Sequence, residues 1–262
     1  MVSKLHFLAV ELARWVAVYG LYLVSRQAAI AGEDGAFRHS DAIVGLERTL
    51  HLFQEEQVQD AAAWTHCAGQ FLAAYYMLGF APVCVCALVW TAWRHRTAYL
   101  ALRRHLIFAL LLATPFFLLY PAAPPRLVAG LGIGDSVGLS GHDTGSFIGI
   151  RFNPYAAMPS LHVGWSLLVA LGVLPLVHGH VLRALVAAHP FVMAVTVTAT
   201  GNHFFLDVAV GVAIALAARS LSQRLPLRPA SEVLSRRGLK LATVIRGASF
   251  WDGLPLAQRL RA

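Results

Sequence analysis

The chain reads as an all-α integral membrane protein, a bundle of about six transmembrane helices with its functional site near the outer membrane face. Three observations predict this. Of its 262 residues 58% are hydrophobic and 13% are charged, too little polar surface to cover a soluble globule of that size. The apolar residues fall into runs of about 20, the length a helix needs to cross the hydrocarbon of a bilayer. The basic residues gather at the ends of those runs and in the C-terminal tail. With that placement a net charge of +8 sets membrane topology and argues against nucleic acid as a partner.

The candidate spans lie near 5–29, 68–92, 104–121, 160–177, 182–201 and 205–221. The first lacks the basic start, short apolar core and small-residue cleavage site of a signal peptide, so it reads as a retained span. After it, the segment 31–66 carries Glu33, Asp34, Asp41, Glu47, Glu55, Glu56 and Asp60 against only Arg38 and Arg48. Within that segment Ile43, Leu46, Leu50 and Phe53 recur at helical spacing opposite Glu47, Gln54 and Glu55. This predicts an amphipathic helix over 41–59, either lying in the membrane interface or capping the outer end of the bundle. Cys67, Cys84 and Cys86 sit in or beside the second span without paired C-x-x-C motifs, and read as small core or lipid-facing residues.

Loop charges orient the chain. The connection 93–105 carries Arg94, Arg96, Arg103 and Arg104 with no acid, and is cytoplasmic by the positive-inside rule. The tail agrees, with Arg224, Arg228, Arg236, Arg237, Lys240, Arg246, Arg259 and Arg261. Both termini are therefore expected inside and the loops 31–66 and 122–159 outside, as in a multi-pass protein of a bacterial plasma membrane. The organisation expected is one membrane domain over 1–222 and a basic cytoplasmic tail over 223–262, disordered or resting on anionic lipid.

That topology brings polar residues to one outer level. Arg126, in "YPAAPPRL", follows the third span and offers a fork of donors suited to phosphate oxygens. Pro159-Ser160 before the fourth span is a helix-start signal with Ser160 as N-cap, and the N–H groups of a helix start bind phosphate. His162 enters there, and the fifth span returns to "TGNHFFLDV". His203 and Asp207 are four apart, so on a continuous helix they share one face and the carboxylate can hold one imidazole nitrogen protonated. Ionisable groups at membrane depth are costly, which marks them as functional. A phosphoryl-transfer site accounts for Arg126, Ser160, His162, His203 and Asp207 together. The residues also leave open a proton-carrying transporter, a metalloenzyme using His142, His162, His203 and Asp207, and a non-catalytic scaffold.

These residues resemble the type-2 phosphatidic acid phosphatase superfamily of integral membrane phosphatases and phosphotransferases. The likeness covers roughly 115–211: the Pro-Ser-x-His motif stands as Pro159-Ser160-Leu161-His162, and the His-x-x-x-Asp motif as His203 to Asp207. The resemblance implies that His203 attacks phosphorus to form a phosphohistidine, Asp207 orients it, and His162 protonates the leaving alcohol. Arg126 and Ser160 would hold the phosphate oxygens, with no metal and no cofactor, on a phosphorylated lipid in the bilayer. Where the family usually has a lysine seven residues before its arginine and an arginine six residues before its histidine, this chain has Leu119 and Val197. Arg151 is the possible substitute.

The loop "GHDTGSFIGIRFNPYAAMPSLH" looks more like the branch containing inositol phosphorylceramide synthases, with His142, Asp143 and Asn153 as candidates for a headgroup or acceptor site. A site short of cations is better matched to a singly charged phosphodiester than to a phosphomonoester, which points toward transfer of a phospho-headgroup between alcohols.

Overall fold

The structure, a computed structural model, describes residues 2–28, 32–63, 66–136 and 154–225. Among the described residues there are nine α-helices: α1 (Val2–Ala28), α2 (Glu33–Thr49), α3 (Glu55–Ala63), α4 (His66–Leu78), α5 (Ala81–Arg94), α6 (Arg96–Leu119), α7 (Leu161–Val173), α8 (His180–Ala199) and α9 (Phe205–Arg224). The only extended pairing among them is an isolated parallel bridge between Ala122 and Ala156. Met1–Ser222 form one compact unit. Gln223–Ala262 form another, which past residue 225 lies outside the described residues.

Among the described residues α6, α8 and α9 are long and apolar enough to cross a membrane, and α4 with α5 has that length and polarity when the two are taken together across a bend of 46°. The bend follows from the residues at the break. A side chain on Gly79 would lie 2.6 Å from the Tyr75 carbonyl, and Pro82, with no N–H, opens the next helix. α1 has the length, 27 residues, and α7 is a shorter apolar helix of 13. Large apolar side chains such as Leu12, Val89, Phe191 and Leu216 point outward, as a lipid-facing surface requires.

In lipid, tails are as apolar as leucine, so helices hold together by close packing and internal polar ties. α6 supplies the spine. Its Leu102, Leu106, Ala109, Leu110, Ala113 and Phe117 recur at three- and four-residue spacing and pack on Leu168, Val169 and Val173 of α7 and on Ile214, Ala215 and Ala218 of α9. α7 and α9 approach at glycines. A Cβ at Gly164 would come within 2.8 Å of the Gly211 carbonyl oxygen, and one at Gly211 within 2.3 Å of the Ser160 carbonyl oxygen.

At the arginine-rich end, Glu11 of α1 is buried and bonded to Tyr99 at 2.7 Å, to Arg14 at 2.5 Å and to Arg103. A buried carboxylate with two guanidinium partners ties α1 to α6 without leaving an unpaired charge. The helix α6, about 36 Å long at 1.5 Å per residue, separates this end from the polar end described next.

The segment 41–59 is not one amphipathic helix. The chain breaks between α2 and α3, where His51 adopts a positive φ of 56°. The two faces are also mixed: Ile43 is buried and Phe53 half-buried as expected, but Leu46 and Leu50 are exposed, while Glu47 and Glu55 are fully buried. The physical reason is that buried helix-end N–H groups outbid two leucines for the inner position. The pair α2–α3 caps the bundle, with Ile43 and Val44 packed on Ala122, Ala157, Met158 and Phe204. Ser40 Oγ donates to the carbonyls of Ala36 and Ala123, 2.9 Å each, which ties the cap to the chain leaving α6.

Candidate active site

The site is built where α6 and α8 end and α7 and α9 begin. After α8, Thr200 closes the helix and Gly201, with φ +68°, reverses the chain. The N–H groups of Asn202 and His203 both bond to the Val197 carbonyl, at 2.9 and 3.1 Å. This fixes the short turn 201–204.

His203 lies in that turn, ahead of α9, so the continuous helix expected to join it to Asp207 is absent. Asp207 instead stands in the first turn of α9, where its Oδ2 accepts the Phe204 N–H at 2.9 Å, half of a capping box. The tight turn brings the pair together all the same. His203 Nδ1 is 3.5 Å from Asp207 Oδ2, with side-chain exposures of 6% and 0%. That is ion-pair range and longer than a hydrogen bond, a contact of the kind that tightens around a bound substrate.

Ser160 is the N-cap of α7, with Val163 N–H directed at its Oγ at 3.5 Å and its own N–H donated to the Asp207 carbonyl at 3.0 Å. The start of α7 is therefore tied by backbone to the first turn of α9. Two residues on, the His162 ring comes to 5.6 Å from that of His203, centroid to centroid. Tyr76 stacks on His162 at 4.9 Å and Phe80 covers it at 4.3 Å. The α4–α5 break is what aims Phe80 at this ring.

Arg126 follows α6 in a 3₁₀ turn, Pro125–Leu127. Its N–H donates to the Gly201 carbonyl at 3.0 Å, and its guanidinium bonds Asn202 Oδ1. Asn202 is in turn held by its amide on Thr200 Oγ1, 2.8 Å away. Arg126 is thus tied through Gly201 and Asn202 to the turn that carries His203.

The structure therefore brings together Arg126, Ser160, His162, His203 and Asp207. Arg151, His142, Asp143 and Asn153 lie outside the described residues. Sequence reasoning missed Asn202, Tyr76, Phe80 and the inward turn of Glu47 and Glu55. Adjacency to His203 in "TGNHFFLD" was the available signal for Asn202; an aromatic pair near a Gly-Phe break carries none by itself. Val197, where the resemblance led to the expectation of an arginine, is fully buried against Val163 and Met193, and Leu119 is 79% exposed.

Comparison with known proteins bears on the family and the fold. No curated protein matches the chain. Among solved structures, that of Aquifex aeolicus LpxE matches with a TM-score of 0.51 at 17% identity, covering 67% of this chain and 94% of that one, which establishes a shared fold. A family model described as the PAP2 superfamily matches residues 41–221. That stretch runs from the cap helix α2 to the last turns of α9 and contains every described residue of the site, so the chain belongs to the PAP2 superfamily.

Proposed function

We propose that the protein is a metal-independent membrane phosphatase or phosphotransferase that acts on a phosphorylated lipid through a phosphohistidine at His203. The observation that carries this reading is the buried His203–Asp207 pair with a second imidazole, His162, 5.6 Å away by ring centroids. Family membership and the shared fold support a membrane lipid phosphatase; the mechanism is built from the residues. Asp207, set at Nδ1, leaves Nε2 of His203 as the attacking atom. The Nε2–P bond forms as the P–O bond to the lipid alcohol breaks, and His162 gives that alkoxide its proton. Water or a second alcohol then attacks phosphorus and yields its proton to His162, and the N–P bond breaks. Arg126, steered by Asn202, neutralises charge on the non-bridging oxygens through both steps.

The finer reading is headgroup transfer to or from inositol or a lipid alcohol, as in inositol phosphorylceramide synthases, with His142, Asp143, Arg151 and Asn153 completing the site. The replacement of two customary cations by Leu119 and by the buried Val197 favours it, because a diester brings one charge where a monoester brings up to two.

One assay separates these readings. Purified wild type and His203→Ala, treated with chelator in detergent, are given a panel of phosphorylated lipids with and without inositol, and free phosphate and new diester are followed. The expected result is turnover that survives chelation and falls at least about 10³-fold in His203→Ala. Inositol-dependent diester identifies the transferase, and phosphate alone the phosphatase. Turnover lost on chelation, or silence across the panel with substrate movement instead, would replace the proposal by the metalloenzyme or transporter reading.

A further inference from the structure

Two side chains that this chemistry does not use lie at its base. Glu47, near the end of α2, and Glu55, at the start of α3, are both 0% exposed. Glu47 Oε1 accepts the Leu206 N–H at 2.6 Å, and Glu55 Oε1 accepts the Phe205 N–H at 2.9 Å. Asp207 takes the Phe204 N–H. Three consecutive donors at the start of α9, which no helix can satisfy internally, are thus each held by a different carboxyl group. They are the three residues between His203 and Asp207.

Three ionised carboxylates buried around one turn repel one another and lack water. Their hydrogen bonds tell two of them apart. Glu55 accepts at both oxygens, from Phe205 N–H and, at 3.0 Å, from Gln54 N–H, as an ionised carboxylate does. Glu47 accepts at Oε1 only, and its buried Oε2 has no partner among the described residues. A proton on that oxygen converts an orphaned acceptor into a donor for Glu55.

We propose that Glu47 and Glu55 form a buried acid–carboxylate pair that shares one proton, carried by Glu47, and that this pair clamps the first turn of α9 and so positions Asp207 against His203. The inference rests on His203 being the attacking group. Burial first, then the neighbouring Glu55 carboxyl and the charge of Asp207, push the Glu47 carboxyl well above the usual carboxylate range, in the direction the pair needs. The groups facing the pair are Asp207 on α9 and, beside Asp207, His203 and Tyr120. With the proton held by Glu47, the two glutamates share one hydrogen bond in place of a buried repulsion, and Asp207 is left as the carboxyl group that faces His203.

The test compares substitutions at the two positions. Glu47→Ala should lower kcat about tenfold or more, with KM within about twofold, as expected of a residue that acts through the transition-state geometry. Glu47→Gln should restore most of that loss, because its amide oxygen accepts from Leu206 and its NH2 donates to Glu55. Glu55→Gln should recover little relative to Glu55→Ala, since an amide there sets a donor against donors. A second readout needs no substrate. The infrared difference between wild type and Glu47→Gln should show the carbonyl stretch of a buried protonated carboxyl in the wild type. This keeps the test alive if Glu47→Ala does not fold, and it stands apart from the functional reading, whose failure would leave the band in place. Absence of the band, or equal behaviour of the two Gln variants, overturns the pair.

Discussion

Asn202 and Phe80 show how much of the candidate site is made by neighbours of His203 and His162. Arg126 is held on Asn202 Oδ1, so Arg126→Lys exchanges an oriented fork for a mobile point charge. Its kcat/KM should fall about tenfold or more, the worth of one hydrogen bond to a charged group, and steady-state kinetics on any turned-over lipid checks this. His162→Ala should slow poor leaving groups by about 10²-fold or more while aryl phosphates lose much less, the signature of a general acid. Equal losses on both would assign the leaving-group proton elsewhere. Phe80→Leu keeps bulk but removes a ring 4.3 Å from that imidazole, so it should imitate His162→Ala in pattern at smaller size. Asp207→Asn should lower kcat by about 10² to 10⁴-fold with little change in thermal unfolding, because an amide oxygen still accepts the Phe204 N–H.

At the scale of elements, the close crossing of α7 and α9 aligns Ser160 with Asp207. Gly211→Ala places a methyl 2.3 Å from the Ser160 carbonyl oxygen, backbone that cannot swing aside. The helices must separate, at a cost of about 1–3 kcal/mol, and the Ser160 N–H bond to the Asp207 carbonyl is the contact that opens first. Both a lower unfolding temperature in detergent and a fall in kcat are expected. Gly45→Ala, on the exposed side of α2 with open space around it, is the control that should change neither.

For the whole molecule, the separation of the arginine-rich end from the site by the length of α6 predicts opposite sides of the membrane. With Cys67 and Cys86, the exposed native thiols among the described residues, replaced by alanine, a cysteine at Thr49 should react with an impermeant thiol reagent on intact cells and one at His178 should not. The reverse pattern would put the site inside. Removal of 226–262 should leave detergent-assayed turnover in place and weaken binding to anionic vesicles, since basic segments gain about 1 kcal/mol per Lys or Arg near such a surface.

Composition and run length sufficed for the membrane bundle, because the hydrocarbon dictates both the length and the polarity of what crosses it. Motifs and span order together sufficed to expect His162, His203, Asp207, Ser160 and Arg126 near one another, because alternate span ends fall on one side; the structure places them around the starts of α7 and α9. Tertiary structure alone decided three matters. His203 and Asp207 meet across a tight turn and not along one helix; both give the same i, i+4 spacing, so spacing could not distinguish them. Tyr76 and Phe80 reach His162 through a bend whose direction depends on what α4 and α5 pack against. Glu47 and Glu55 turn inward although an acidic residue on an amphipathic segment belongs outside, because N–H groups at the start of α9, 159 and 150 residues downstream of the two glutamates, lie buried at that point and require acceptors.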